Sequence, residues 1–252
     1  MTAPIHRTGA RALAVSASGA ALVRQAAQAE QARATGVYAF ACWRPAAARL
    51  AEFIALRDTL HALLAAGALK IAAAGTQIEL LRRRLADIPR ELVWEDAWAP
   101  NLVTTEGKNA ALTHLLKGST YTASQVLGLI EDTGYSAVAA GNTAANITAV
   151  GGGSPANGWN EAPVGTCAAR GTPAFGTASA GSLATSSAVS LSMLATDTIK
   201  GAFLLIRSGG GTAPTTTVGN TSGGLYSAGL FTGGDRSVSN GDTLNVSYTA
   251  SL

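Results

Sequence analysis

Charged and aromatic side chains are both scarce in this 252-residue chain, at 13% and 6%. The residues that usually build a catalytic or metal centre are scarcer still. The three histidines, His6, His61 and His114, are far apart, and there are two cysteines. That leaves too few clustered ligands for the usual closed zinc site. Cys42 and Cys167 belong to no spacing pattern, so two small, partly buried thiols are expected rather than a disulfide. Gly-x-Ser-x-Gly, a phosphate-binding Gly-Lys-Ser/Thr loop and His-Glu-x-x-His do not occur. A net charge of +3 is too small to imply nucleic-acid binding by itself. The most apolar stretch, residues 62–74, is short, is mostly alanine and is interrupted by Lys70, so no membrane span is expected. Residues 1–20 lack the greasy middle of a secretory signal.

The charge that is present is unevenly placed. Up to Val93 there are 12 Lys+Arg against 6 Asp+Glu, and from Trp94 onward 6 against 9. The first part is Ala-rich, with a helical pattern over residues 45–85. Leu50, Phe53, Ile54, Leu60 and Leu64 recur at three- and four-residue steps, while Glu52, Arg57 and Asp58 sit off that face. Pro45 suits a first helical turn, and Pro89 ends the pattern. Gly67 and Gly75 weaken it by about 1 kcal/mol each relative to Ala. Arg82, Arg83 and Arg84 suit a solvated helix C-terminus. Residues 1–44 have few bulky apolar side chains except Tyr38, Phe40 and Trp43, and are expected to be fragmentary helix or disordered. This composition fits an upstream extension of the reading frame as well as a helical anchor.

From Trp94 the texture changes. Short apolar runs are punctuated by Gly, Ser, Thr and Asn, which argues for a sandwich or barrel. The last strand is the clearest. Leu244, Val246, Tyr248, Ala250 and Leu252 alternate with polar residues after the turn Asn240-Gly241-Asp242. Further strands are expected over residues 125–130, 189–194, 198–206 and 224–231. The 198–206 run is so continuously apolar that both its faces should be covered. One helix is expected over residues 105–116, capped by Thr104 or Thr105, with Ala110, Leu112, Leu115 and Leu116 as its apolar face and Gly118 as its stop. Residues 142–157 and 208–222 read as loops, as connectors or contact surfaces.

Within this part the polar constellations are weak. Glu131 and Asp132 read as a solvated turn, because neighbours on a strand point to opposite faces. Gly151-Gly152-Gly153-Ser154 has no following Lys to make a phosphate cradle. Asp235 and Asp242 read as turn residues rather than calcium ligands. Trp94, Trp98 and Trp159 are anchors for a core or an interface. Trp159 is expected in the core. Trp94 and Trp98, at i and i+4, would share one side of a helix or cover the sandwich's open end.

Several motifs recur together in one known family. They are Ala99-Pro-Asn-Leu-Val-Thr-Thr-Glu-Gly-Lys-Asn109, Gly118-Ser-Thr-Tyr-Thr122, Val126-Leu-Gly-Leu-Ile130, Gly158-Trp-Asn-Glu161, Thr198-Ile-Lys-Gly-Ala-Phe203, Leu225-Tyr-Ser-Ala-Gly-Leu-Phe-Thr-Gly-Gly-Asp235 and Asn240-Gly-Asp-Thr-Leu-Asn-Val-Ser-Tyr248. In order and content, residues 94–252 resemble a family of small tailed-phage virion structural proteins; the first ninety residues do not. Residues 94–252 read as a mainly β domain with one short helix, preceded by the Ala/Arg-rich segment 1–93, helical or partly disordered; for the β domain the resemblance implies a jelly-roll-like sandwich. It implies a non-enzymatic cement or decoration protein on the outside of the virion's capsid. Its partners would be the major capsid protein and further copies of itself, as a dimer or trimer, with no cofactor, metal, nucleic acid or membrane. Candidate interface residues are Trp94, Trp98, Asn101, Trp159 and Tyr226. The alternatives are a head-fibre, neck or tail protein, and a carbohydrate-binding sandwich using Tyr226, Trp159 and Tyr248.

Overall fold

The computed structural model describes residues 35–66, 72–116, 122–148 and 158–251. Expectations for residues 1–34, for Gly67 and Gly118, and for 149–157 lie outside them. The chain is mainly β and sandwich-like, as expected. Its elements in order are β1 (Thr35–Pro45), α1 (Leu50–Ala65), α2 (Ala72–Ala86), β2 (Arg90–Val103), α3 (Thr105–Leu116) and β3 (Gln125–Glu131). Two short strands follow, β4 (Ile147–Thr148) and β5 (Trp159–Asn160), then β6 (Ser182–Ala184), β7 (Val189–Ser192), β8 (Asp197–Ile206), β9 (Gly224–Leu230), β10 (Arg236–Val238) and β11 (Thr243–Ser251).

The long strands form one curled antiparallel sheet ordered β10–β8–β9–β2–β1–β11–β6, with β3 also on β8 and β7 also on β11. β2 turns the corner. Its first part pairs with β1, and its last residues, Asn101, Leu102 and Val103, pair with β9. The segment 161–176 laces the sheet's free edges together. Leu127 and Gly171 exchange both backbone hydrogen bonds at 2.8 and 2.9 Å, and Ser186 N donates to Ala174 O at 2.8 Å.

Alternation places the cores. Leu244, Val246 and Tyr248 of β11 point inside, with Tyr38, Phe40, Cys42, Leu127, Leu129 and Leu204. On β8, Ala202 and Leu204 join that interior, while Phe203 and Leu205 join a second cluster with Trp159 and Ile147 on the outer face. The apolar run over 198–206 is therefore covered on both sides, as its composition predicts. Both cysteines are buried and unbridged. Burial raises the Cys42 thiol to about 12 and the Cys167 thiol to about 11, so neither is a thiolate at neutral pH.

Several expectations about the first part change. Residues 35–45 are a strand and not helix or disorder: Tyr38, Phe40 and Cys42 alternate with half-buried residues, and nine residue pairs join β1 to β11. The boundary expected at Trp94 falls inside β2, since the helices stand between two neighbouring strands. Pro45 ends β1 rather than opening a helix. On α1 the packed face is Phe53, Leu56 and Leu60, against Ile78, Leu81 and Leu85 of α2. Arg57, expected off that face, is buried: its guanidinium donates to Met193 O at 2.8 Å and Asn240 Oδ1 at 3.1 Å. A charged hydrogen bond to a backbone carbonyl offsets the desolvation that keeps most arginines outside.

Gly201 and Gly75 provide opposite tests of this packing. A Cβ at Gly201 would overlap the Gly229 carbonyl on β9, whereas one at Gly75 on α2 meets nothing within 4 Å. Gly201→Ala is expected to lower the unfolding free energy by about 2 kcal/mol or more. Gly75→Ala should raise it by up to about 1 kcal/mol. Urea midpoints at constant m-value read both.

Candidate interaction surfaces

The buried polar groups are tied into the fold. Glu161 and Arg170, with side chains 2% and 0% exposed, form a two-pronged pair at 2.7 and 2.6 Å. Gly219 N also donates to Glu161 at 2.6 Å, and Arg170 N donates to Thr216 O at 2.9 Å. The pair thus clamps the 208–222 loop to the sheet. The space beside it is about 10 Å³, room for one water at most. Asp242 does ordinary turn duty. It accepts the Ser239 N–H at 2.8 Å and two Arg44 donors at 2.7 Å each. Asp235 pairs with Lys200 at 2.7 Å. Among the described residues, no group of three or more His, Cys, Asp or Glu side chains is placed to hold a metal. None of the described helices is long and apolar enough to cross a membrane.

Glu131 departs from its expectation. It is buried rather than a solvated turn residue, and its Oε2 has no hydrogen-bond partner. A register shift at the end of β3 pairs Glu131 with Ile199 and turns its side chain inward. Burial, then the nearby Asp197 and Asp132 charges, raise its pKa above the ordinary carboxylate value.

Of the apolar side chains that face solvent among the described residues, which include Leu80, Leu92, Val93 and Val164, the most exposed are in two places. The first is on α3. The helix forms over the expected residues, and Thr104 Oγ1 caps it by accepting the Gly107 N–H at 3.0 Å. Glu106 Oε2 then accepts the Leu225 and Ala144 N–H groups at 2.6 and 2.8 Å. The face laid on β9 is Gly107 and Ala110. A Cβ at Gly107 would overlap the Tyr226 backbone, so the helix sits too close for larger residues. The leucines expected to be its packed face are consequently outside: Leu112, Leu115 and Leu116 are 53%, 76% and 75% exposed. Their i, i+3, i+4 spacing sets them on one side.

The second is on β2. Tyr38 pairs with Ala99 and Phe40 with Asp96, so Ala39 alone faces both Ala97 and Trp98. This is a bulge, which re-aims side chains. The Asp96 carboxylate, 6% exposed, anchors it by accepting Thr232 N at 2.7 Å and Trp98 N at 3.3 Å. Trp98 is left 69% exposed. Trp94 and Trp98 are thus on an extended, bulged strand and do not share a helix face.

The other candidate residues are placed differently. Trp94 is half-buried, packs edge-on against Phe231 at 5.2 Å and donates from Nε1 to Ser237 O at 3.2 Å. Asn101 Nδ2 donates to the Tyr248 hydroxyl at 2.8 Å. Tyr226 is half-buried and edge-on to Tyr248. Trp159 is wholly buried in the second core and presents no surface. Of the aromatics expected to bind sugar, Trp159 and Tyr248 are inside and Tyr226 is half inside. The sequence does carry one signal for the exposed leucines, the small pair Gly107 and Ala110 at i, i+3, which marks the closer face of α3.

Comparison with known proteins finds no match: no family model, no curated protein and no solved structure matches the chain.

Glu131 gives a pH test. Its folded pKa is raised, so the native state holds that proton at higher pH than the unfolded chain does. The native state is therefore penalised as pH rises through and above the carboxylate range. Glu131→Gln is expected to raise the urea midpoint at pH 7, and the gain should vanish below the unfolded carboxylate pKa, where Glu131 is neutral in both states. A gain of equal size at both pH values would contradict this assignment.

Proposed function

We propose that this chain is a non-enzymatic structural protein of a tailed-phage virion, seated on the outside of the major capsid shell as a cement or decoration protein. The docking part of this reading is carried by the exposed leucine face of α3. A rigid helix end with three adjacent apolar side chains has the character of a protein-contact surface. The virion part rests on the resemblance of residues 94–252 to the phage family. The buried acid–base groups support a structural role, because Glu161, Arg170, Asp96 and Asp242 hold loops and turns to the sheet. The partner is the major capsid protein, and neighbouring copies are expected to meet around symmetric positions.

Binding to purified shells of the cognate capsid protein tests this. The full chain is expected to cosediment with shells, and Leu115→Glu with Leu116→Glu to weaken that binding by about tenfold or more. Thermal stability should barely change, because exposed substitutions usually shift it by about 0.5 kcal/mol or less. Labelled density on the neck, tail or head fibres of an intact particle would move the protein off the shell. Failure of the unaltered chain to bind shells would overturn the cement reading.

A further inference from the structure

We propose that the groove beside Trp98 binds a neutral sugar ring, a site independent of the virion reading and on a different element from the α3 leucines. The groove lies on the outer face of β2, β1 and β11. Its floor is built from three cross-strand pairs, Thr35 with Ser251, Val37 with Thr249 and Ala39 with Ser247. Trp98 borders it, and the space of the open groove is about 250 Å³. That is below the ~300–1,000 Å³ of pockets that engulf a drug-sized ligand, so the site is a platform for a ring rather than a closed chamber.

Three observations define the ligand's chemistry. None of the described residues lining the groove carries a charge, so among them a charged ligand finds no counter-ion. Ser247, Thr249 and Ser251 recur at every second residue of β11, which spaces them by about 6.8 Å along one face. Hydroxyls both donate and accept, so a row of them suits a ligand bearing hydroxyls at its rim. The Trp98 indole supplies a flat apolar face, which matches the C–H face of a pyranose. That exposure is built rather than incidental. The bulge turns Trp98 outward, and buried Asp96 holds the Trp98 amide in place. Of the other described tryptophans, Trp159 is buried, and Trp43 and Trp94 are half-buried.

Calorimetric titration of the full chain with maltohexaose, cellohexaose and chitohexaose tests the site, with a heparin hexasaccharide as the charged comparison. At least one neutral hexasaccharide is expected to bind, with an affinity that does not change with added salt. Trp98→Ala should lower that affinity by about tenfold or more, and Trp98→Phe by less. Thr249→Val, which keeps the strand shape and removes one hydroxyl, should lower it severalfold. Circular dichroism melts of each variant separate loss of binding from loss of fold. The proposal is overturned by silence with all three neutral sugars, by binding that survives Trp98→Ala, or by binding to the heparin fragment alone. It is also overturned if sedimentation shows that Trp98→Ala dissociates a dimer of the unaltered chain, since a second copy would then own the groove.

Discussion

The sheet depends on β1 being held on both sides at once. It pairs with β11 through nine residue pairs and with β2 through eight, so it is the seam between the two halves of the curl. Its inward residues do as much as its backbone. Tyr38 stacks beside Phe40, tilts against Tyr248 at 4.7 Å and reaches the Ser227 hydroxyl on β9 at 2.8 Å, while Phe40 meets Phe231 edge-on. Without that strand, β2 and β11 would each present an open edge, and the interior would lose two of its largest side chains, Tyr38 and Phe40. The helices α1 and α2 lie between β1 and β2 in the chain, so they are an insertion into the sheet's connectivity rather than a separate leading arm. Arg57 and the packing of Leu50 near Gly241 bind that insertion back onto the β11 end of the sandwich.

Close approach governs what the surface shows. At Gly107 a helix lies against the Tyr226 backbone, and at Gly201 two strands nearly touch. Where backbones come this near, large apolar residues have no place between them, and those on the same element go to the outside. The leucines of α3 follow from that constraint, as does the mismatch between their helical spacing and their exposure. The same reasoning separates Trp98 from Trp159. The first is set on a bulge that turns it outward; the second lies on β5 over the outer face of β8, where Phe203 is 6.0 Å away.

Period-two alternation in β11, the unbroken apolar run of β8 and the capped helix α3 were legible because each is a local pattern with a local cause. β1 was not, because a strand with Ala39 and Ala41 between its inward residues looks like its Ala-rich helical surroundings. Only pairing over two hundred residues away distinguishes it, with Tyr38 against Tyr248. Arg57 was unreadable for the same reason, since its acceptors, Met193 and Asn240, are 136 and 183 residues away in the chain. The exposed Trp98 depends on a one-residue excess in β2 relative to β1, and no count along β2 alone reveals it. Glu131 likewise needed the register shift against β8 before its burial could be seen.

The ionic groups hold the irregular segments of the fold in place. In a chain with so few charges, Arg44, Asp96, Glu161, Arg170 and Asp242 are spent on fastening irregular segments to the sheet. A buried ion pair contributes little net stability over a well-packed apolar pair, but losing one partner costs about 3–5 kcal/mol. Such pairs therefore act mainly against alternatives, by making a loop in the wrong place leave a charge unpaired. Loops fixed in this way keep their shape when a partner arrives, and binding then loses less conformational entropy. A partner at the exposed Trp98 or at the α3 leucines, as proposed above, would therefore meet loops already held in place.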